Sequence, residues 1–312
     1  MNELLQFTQR PTDDEIYMLA GWRQWADAGN ISSGLPQYLI EQTDAQRIGQ
    51  LQSTGFYLFQ VPGAHHFLRP SVAISDGLVV AHDTTNNEFY YTSQNGRGLL
   101  IFLGDEPHLN LETYADAWLD AVETLGVRRV VCLGGVYGAT PYDRERELHA
   151  VYSLAHMQEE LNQYAVKYSN YQGGSTIGTY LAYRAGQRGI ELVDFYAFVP
   201  AYDFTQTTNQ IQGLRIDSDF QAWYEVMHRV NRMFALGLDL TDLEVQGLEL
   251  ASSMQSKLEE LNREYPALKV EEYMQQLDEH FDAEPEDEDE AGPALDDLWE
   301  QELSDLLDDL DV

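Results

Sequence analysis

The sequence has a single cysteine, Cys132, among its 312 residues. One thiol forms no internal disulfide and builds no thiolate metal cluster, so disulfide scaffolds, zinc fingers and ferredoxin-like proteins are excluded. Because Cys132 lies within the apolar run 130–133, we expect a small core residue of a buried strand. A redox function is therefore disfavoured.

Basic residues are scarce as well. There are 18 lysines and arginines against 53 aspartates and glutamates, which gives a formal net charge of -35. A polyphosphate would be repelled by this charge, so we expect no nucleic-acid partner. The imbalance is strongest in residues 271–312, which contain 19 acids and neither lysine nor arginine.

Long apolar runs are absent too. No stretch of 18 uncharged apolar residues occurs, and the N-terminus has no basic segment leading into an apolar one. We therefore expect neither a membrane span nor a signal peptide, and we place the protein in the cytoplasm. The eight histidines show no His-Glu-x-x-His spacing, so no metal site and no cofactor is predicted.

What the first two hundred residues do contain is an alternation of short apolar runs and helix-length segments. The runs predict strands at 16–20, 56–61, 78–81, 99–103, 129–133, 166–171 and 192–199. Among the helical segments, 111–125 has apolar residues at spacings of three and four and is closed by Gly126. This alternation, with several strands apolar on both faces, predicts an α/β fold around a covered sheet.

After residue 202 the pattern becomes helical. Helices are predicted at 219–236, from Thr241 onward and at 268–281, and Thr241 with Glu244 forms a capping-box pattern. These helices are too short and too few for a core of their own. We therefore divide the chain into a core, residues 1–215, and a helical extension packed on it, residues 216–282.

The last 30 residues, 283–312, are predicted to be an acidic linker followed by an amphipathic tail helix. Two interpretations of the tail remain open. It binds a partner chain or a neighbouring subunit through its apolar face, or it docks on its own body or frays. The residues predicted to dock are Leu295, Leu298, Trp299, Leu303, Leu306 and Leu310.

The segment 173–178, Gly-Gly-Ser-Thr-Ile-Gly, lies between a predicted strand and a helix. Ser175 or Thr176 is suited to cap that helix, and the same amides are able to bind an anion such as phosphate. The lysine of a P-loop is missing. Thr176 also resembles the central residue of a nucleophile elbow, but no histidine or aspartate partner is indicated. Capping without catalysis is the favoured interpretation.

A second distinctive segment, residues 21–29, follows the first predicted strand. Asp27 is suited to accept hydrogen bonds from neighbouring backbone amides, and Gly29 is suited to a left-handed turn. Trp22 and Trp25 either fill the gap between sheet and helix or stand exposed as subunit anchors. None of this requires catalysis.

Gly134 and Gly135 follow the predicted strand 129–133 and indicate a tight exit from it. Ligands of open α/β sheets gather at the carboxyl ends of strands, so we expect a pocket there.

Several of these motifs form an ordered set. They are Gly21-Trp22, Asp27-Ala28-Gly29, Arg69-Pro70, Asp76-Gly77, Gly104-Asp105-Glu106-Pro107, Leu133-Gly134-Gly135, residues 173–177 and Val199-Pro200-Ala201-Tyr202. In order and approximate spacing the set resembles the proteasome assembly chaperone family, specifically the prokaryotic members similar to its second chaperone subunit, over roughly residues 15–240. The resemblance implies a three-layer α/β/α sandwich like that of the phosphorylases, with a C-terminal helical extension. It also implies homo-oligomers without a recognised catalytic set, some of which assist assembly of the proteasome α ring.

Two functions stay open at this stage. The first is a noncatalytic oligomeric scaffold or assembly chaperone that binds other protein chains through its oligomer surface and its acidic tail. The second is an enzyme or a binding protein for a nucleoside-like or phosphorylated small molecule. For that second function the cations available to a phosphate are Arg69, Arg128, Arg129 and Arg144.

Arg69 has an alternative role, since it is able to hold a structural carboxylate such as Asp27 or Asp76. The candidate interface or ligand loops contain Gly21, Trp22, Trp25, Asp27, Gly29, Arg69, Asp76, Glu106, Gly134, Gly135, Gly173, Gly174, Ser175, Thr176 and Tyr202.

Overall fold

The structure is a computed structural model that describes residues 2–59, 70–82, 85–204 and 213–282. Arg69 and the predicted tail helix lie outside these ranges. The strands are β1 (Leu5–Phe7), β2 (Ile16–Arg23), β3 (Gln46–Leu51), β4 (Val72–Ser75), β5 (Leu78–His82), β6 (Asn87–Gln94), β7 (Arg97–Asp105), β8 (Val127–Gly138), β9 (Leu148–Tyr152), β10 (Lys167–Tyr168), β11 (Leu192–Tyr202) and β12 (Leu214–Arg215). The helices are α1 (Gly34–Gln42), α2 (Leu111–Thr124), α3 (Met157–Leu161), α4 (Ile177–Arg188), α5 (Phe220–Phe234), α6 (Thr241–Glu264) and α7 (Val270–Asp282).

Most strands form one sheet in the order β1-β3-β6-β7-β2-β8-β11-β9-β10, with β12 paired to β11. The four central strands, β7, β2, β8 and β11, run parallel, and the strands toward both edges add mainly antiparallel pairs. Helices cover both faces of this sheet. One apolar cluster contains side chains of α1, α3, α5, α6 and α7, and the other contains those of α2 and α4. The fold is therefore the predicted α/β/α sandwich.

The central strand β2 shows how the sequence builds the two layers. Its side chains alternate between the clusters: Tyr17 and Leu19 face one layer, whereas Met18 and Trp22 face the other. Trp22 is fully buried, and its indole Nε1 donates a hydrogen bond to the Tyr114 hydroxyl oxygen at 2.9 Å. Of the two roles considered for Trp22, filling the gap between sheet and helix is the one observed.

Several predicted elements differ from the structure. Residues 56–59 form a loop instead of a strand, and of the strand predicted at 166–171 only β10 is formed. β8 continues to Gly138, so Gly134 and Gly135 lie inside a strand and not at its exit. The sequence patterns do not indicate β1, β3, β4, β6, β9 and β12. The boundaries proposed at residues 215 and 282 stay predictions.

The predicted capping box at Thr241 is not formed. Thr241 is the first residue of α6, and both its amide and its hydroxyl donate to the carboxylate oxygen of Asp239. The first amide of this helix is thus satisfied by an aspartate two residues earlier.

A buried ion pair connects the start of α5 to the loop between β8 and β9. Arg146 Nε donates to Asp219 Oδ2 at 2.8 Å, and both side chains are almost wholly buried. Asp219 also caps α5 by accepting the Ala222 amide, and Arg146 donates to the carbonyl oxygens of Tyr142 and Arg144. The pair therefore provides hydrogen-bond partners for an amide at the start of α5 and for carbonyl oxygens of the loop before β9.

Replacing Arg146 by methionine is expected to lower the free energy of unfolding by about 3–5 kcal/mol, because Asp219 becomes a buried charge without its partner. Urea denaturation measures the loss. Arg23→Met is the matched control, since the Arg23 to Asp105 pair is open to solvent on the arginine side and is worth about 1 kcal/mol or less. Equal losses in the two variants would contradict this account.

Candidate functional site

A cleft of about 400 Å³ lies at the carboxyl ends of the central parallel strands, beside the first turn of α4. Its floor is formed by side chains of β8, β9 and β11, which include Val136, His149, Tyr196 and Phe198. Trp25 and the loop before α4 form the walls. Five residues of the predicted loops therefore come together here: Trp25, Gly173, Gly174, Ser175 and Thr176.

Helix α4 begins at the cleft for a local reason. Thr176 has an extended backbone, and its hydroxyl accepts a hydrogen bond from the Thr179 amide at 3.1 Å, which is the geometry of a helix cap. Gly178 then lets the helix approach β11 closely, because a Cβ there would lie 2.2 Å from Asp194 Oδ2. Thr176 and Gly178 thus fix where α4 meets the sheet.

Glu106 occupies the position at which an anion would bind this helix. Its carboxylate accepts hydrogen bonds from the Trp25 amide at 3.2 Å and from the Ile177 amide at 3.1 Å. Burial raises the pKa of Glu106 above its ordinary value, and the two hydrogen bonds partly offset that rise. The amide expected from the sequence to receive phosphate is thus occupied by the chain's own carboxylate.

A hydrogen-bonded chain of three side chains leads from the cleft into the protein. The Tyr196 hydroxyl donates to Asp194 Oδ2 at 2.6 Å, so the Thr176 hydroxyl, 2.5 Å from the Tyr196 oxygen, is the donor in the second link. Asp194 is fully buried, which raises its pKa to about 7, and its Oδ1 has no hydrogen-bond partner in the described structure. Burial also raises the pKa of Tyr196.

The loop that carries Trp25 is held by Asp27. Its carboxylate accepts hydrogen bonds from the Ser32 amide, the Ser33 amide and the Ser33 hydroxyl, and burial raises its pKa to about 6. Gly29 takes the left-handed turn, with φ of 63°, and its carbonyl oxygen accepts from the Trp223 indole at 2.9 Å. Asp27 and Gly29 therefore shape the loop.

The other predicted site residues have packing roles or lie elsewhere. A Cβ at Gly21, Gly134 or Gly135 would collide with the Ser32 carbonyl, the Tyr196 ring or the Ala28 carbonyl. Tyr202 is buried and donates to the Thr140 carbonyl oxygen. Asp76 lies in the turn between β4 and β5.

Three of the four arginines considered for phosphate do not line the cleft, and the fourth, Arg69, lies outside the described residues. Arg128 pairs with Glu15, Arg129 pairs with Glu160 and Glu191, and Arg144 is not among the lining residues. His149, Tyr196 and Phe198 also lie at the cleft, where the pairing of β9 with β11 brings them, although the sequence patterns did not indicate them.

Over the ranges that the structure describes, no group of three metal-ligating side chains is placed to hold an ion. Among the helices of those same ranges, none combines the length and apolar character needed to cross a bilayer.

The model of the PAC2 family matches residues 22–261 of the chain. No curated protein matches the sequence. Among solved structures, the proteasome-assembly chaperone homologue Rv2125 of Mycobacterium tuberculosis aligns with a TM-score of 0.65 and 21% identity, over 77% of this chain and 94% of that one. A protein of unknown function from Corynebacterium glutamicum aligns with a TM-score of 0.73 and 16% identity, over 90% and 97%.

PbaB of Pyrococcus furiosus, described as an archaeal proteasome activator, aligns with a TM-score of 0.54 and 21% identity, over 82% of this chain and 98% of that one. At such identities the solved structures show a shared fold.

The raised pKa of Asp194 makes the stability of the protein depend on pH. Between about pH 4 and pH 7 the folded protein holds a proton at Asp194 that the unfolded chain has lost, so the free energy of unfolding falls as the pH rises. We expect the melting temperature of Asp194→Asn to fall less than that of the wild type between pH 5 and pH 8.

Asp14→Asn, which changes an exposed carboxylate, is the control and is expected to keep the wild-type slope. Asp27, whose pKa is also raised, contributes the same pH dependence of stability to all three proteins. If Asp194→Asn showed the wild-type slope, Asp194 would not hold the proton.

Proposed function

The chain belongs to the PAC2 family, and on that premise we propose that it is a noncatalytic, oligomeric protein that binds other protein chains as a scaffold or assembly chaperone. The observation that carries the proposal is the hairpin of β4 and β5. All nine strand residues of this hairpin are exposed, and Ile74 and Leu78 are exposed by 63% and 68%. In the described structure the two strands form a sheet of their own.

We expect the exposed strands of this hairpin to be buried against another protein surface. Asp76 and Gly77 both have positive φ and form a two-residue turn, which aligns the strands without help from the body. An isolated two-stranded ribbon is marginally stable in water, and exposed apolar patches of this kind mark protein–protein contacts. Its strands contain no Lys, Arg, Asp or Glu that would protect an exposed edge from pairing. These features support a second copy of the chain as the cover.

The structurally similar proteins also support a protein partner. One is described as a proteasome-assembly chaperone homologue and another as a proteasome activator, so we propose that this chain, too, acts on a protein assembly. In this proposal residues 283–312, acidic and with apolar residues at helical spacing, add a second contact for partner chains. We propose the cytoplasm as the location of the protein, since the single, buried thiol of Cys132 needs no oxidising compartment.

Two observations at the cleft speak against the alternative, an enzyme or binder for phosphorylated molecules. The Glu106 carboxyl group accepts the hydrogen bond of the Ile177 amide, so this amide is not available to a phosphate. The hydroxyls of Ser175 and Thr176 bond to Thr179 and Tyr196 and not to a histidine base, so neither has the partner that an activated nucleophile needs.

We expect the wild-type protein to sediment as a multiple of its 35.6 kDa chain mass. The double variant Ile74→Lys, Leu78→Lys is expected to associate at least about 30-fold more weakly, the effect of losing about 2 kcal/mol of interface energy. Analytical ultracentrifugation over a range of concentrations measures both.

Leu248→Lys is the control, because Leu248 is an equally exposed apolar residue on α6. The sedimenting species of Leu248→Lys should have the same mass as that of the wild type. A monomeric wild type, or a double variant that keeps the wild-type mass, would rule out the hairpin as the contact between copies.

A further inference from the structure

We propose that the cleft beside α4 is a binding site for a small, flat aromatic molecule that carries no negative charge. No part of the proposed scaffold role requires such a site. The proposal follows from three features of the cleft: its aromatic surfaces, its row of neutral hydroxyls and the sign of the charge around it.

The aromatic surfaces lie on two sides of the cleft. Trp25, 44% exposed, forms one wall and packs against Gly174, where an added Cβ would be 3.2 Å from the indole. Opposite the helix, the rings of Phe198 and His149 lie 4.7 Å apart on the sheet floor. A cleft of about 400 Å³ is within the range of small-molecule sites and accommodates a one-ring or two-ring compound. Aromatic ligands pack favourably on such rings.

Hydroxyl groups provide the polar contacts. Ser169, Ser175, Thr176 and Thr179 all line the cleft. The Thr176 hydroxyl is directed toward Tyr196, which in turn donates to Asp194, so its orientation is set from inside the protein. The Ser175 and Thr179 hydroxyls, whose oxygens lie 3.0 Å apart, both donate to the Thr176 carbonyl oxygen, so they offer a ligand acceptor lone pairs. Such groups suit the polar edge of a ring and do not require a charged ligand.

The surrounding charge disfavours an anion. The described lining contains no lysine and no arginine. Its one histidine, His149, lies 3.5 Å from Glu147, and hydrogen bonds from His149 and Lys167 lower the pKa of Glu147 to about 2, so this carboxylate stays ionised. Glu106 adds a second carboxylate at the first amide of α4. Lys167, the cation beside His149, is already paired with Glu147, so an anionic ligand would lose its hydration without gaining an unpaired cation.

The proposal is tested with three probes that share one indole ring: tryptophol, which is neutral, tryptamine, which is cationic, and indole-3-acetate, which is anionic. Isothermal titration calorimetry on the full chain should give dissociation constants of about 1 mM or tighter for the first two, the affinity expected of a ligand of this size. Indole-3-acetate should bind at least tenfold more weakly. No binding of tryptophol and tryptamine, or equal binding of all three, would overturn the proposal.

Two variants locate the site. Trp25→Ala should abolish binding of tryptophol, whereas Tyr183→Ala, at an exposed aromatic residue of α4 outside the cleft, should leave it unchanged. Ser175→Lys places a cation in the cleft and should reverse the preference, so that indole-3-acetate binds more tightly than tryptamine. Binding retained in Trp25→Ala, or an unchanged preference in Ser175→Lys, would place the probes elsewhere and overturn the assignment.

The hairpin variant Ile74→Lys, Leu78→Lys separates this site from the proposed interface. Its affinity for tryptophol should equal that of the wild type, since neither residue lines the cleft. A loss of affinity in this variant would mean that the probes bind at the contact between copies.

Discussion

One carboxylate, that of Glu106, connects the segments on which the cleft depends. It follows β7 and accepts the backbone amides of Trp25, from the loop after β2, and of Ile177, the first residue of α4. A helix N-terminus attracts negative charge, and here the chain supplies that charge itself. Because the amide is occupied internally, the carboxyl ends of the central strands offer an aromatic surface without lysine or arginine in place of the anion site common in α/β sandwiches.

The same part of the fold is closely packed because of its glycines. Gly135 admits the Ala28 carbonyl and Gly178 admits the Asp194 carboxylate, so loop and helix lie directly on the sheet. Asp27 and the buried pair of Arg146 and Asp219 then satisfy the loop amides and the start of α5. In contrast to this closed body, the hairpin of β4 and β5 exposes all its strand residues. Among the described residues, five of the exposed large apolar side chains lie together on this hairpin, which is why protein binding is proposed for it.

The sequence predicted the features that depend on neighbouring residues. The central strands were recognisable because they are apolar on both faces, and the roles of Asp27 and Thr176 follow from amides a few residues away. The strands β3 and β6 were missed because at least half of the residues in each are polar. Glu106 was named as a loop residue, but its partners are 81 and 71 positions away, so its role was not readable. The pattern at Gly134 predicts a turn, whereas Gly134 makes room for the Tyr196 ring of β11, a strand that is adjacent in the sheet but far away in sequence.

The central claim, that Glu106 holds both segments through one carboxylate, is tested most directly by NMR. The amide shifts of Trp25 and Ile177 should titrate together, with one midpoint above the usual glutamate value of about 4.3, because burial raises the pKa of Glu106. In Glu106→Gln both titrations should disappear. Amides that titrate with separate midpoints, or that still titrate in the variant, would contradict the account.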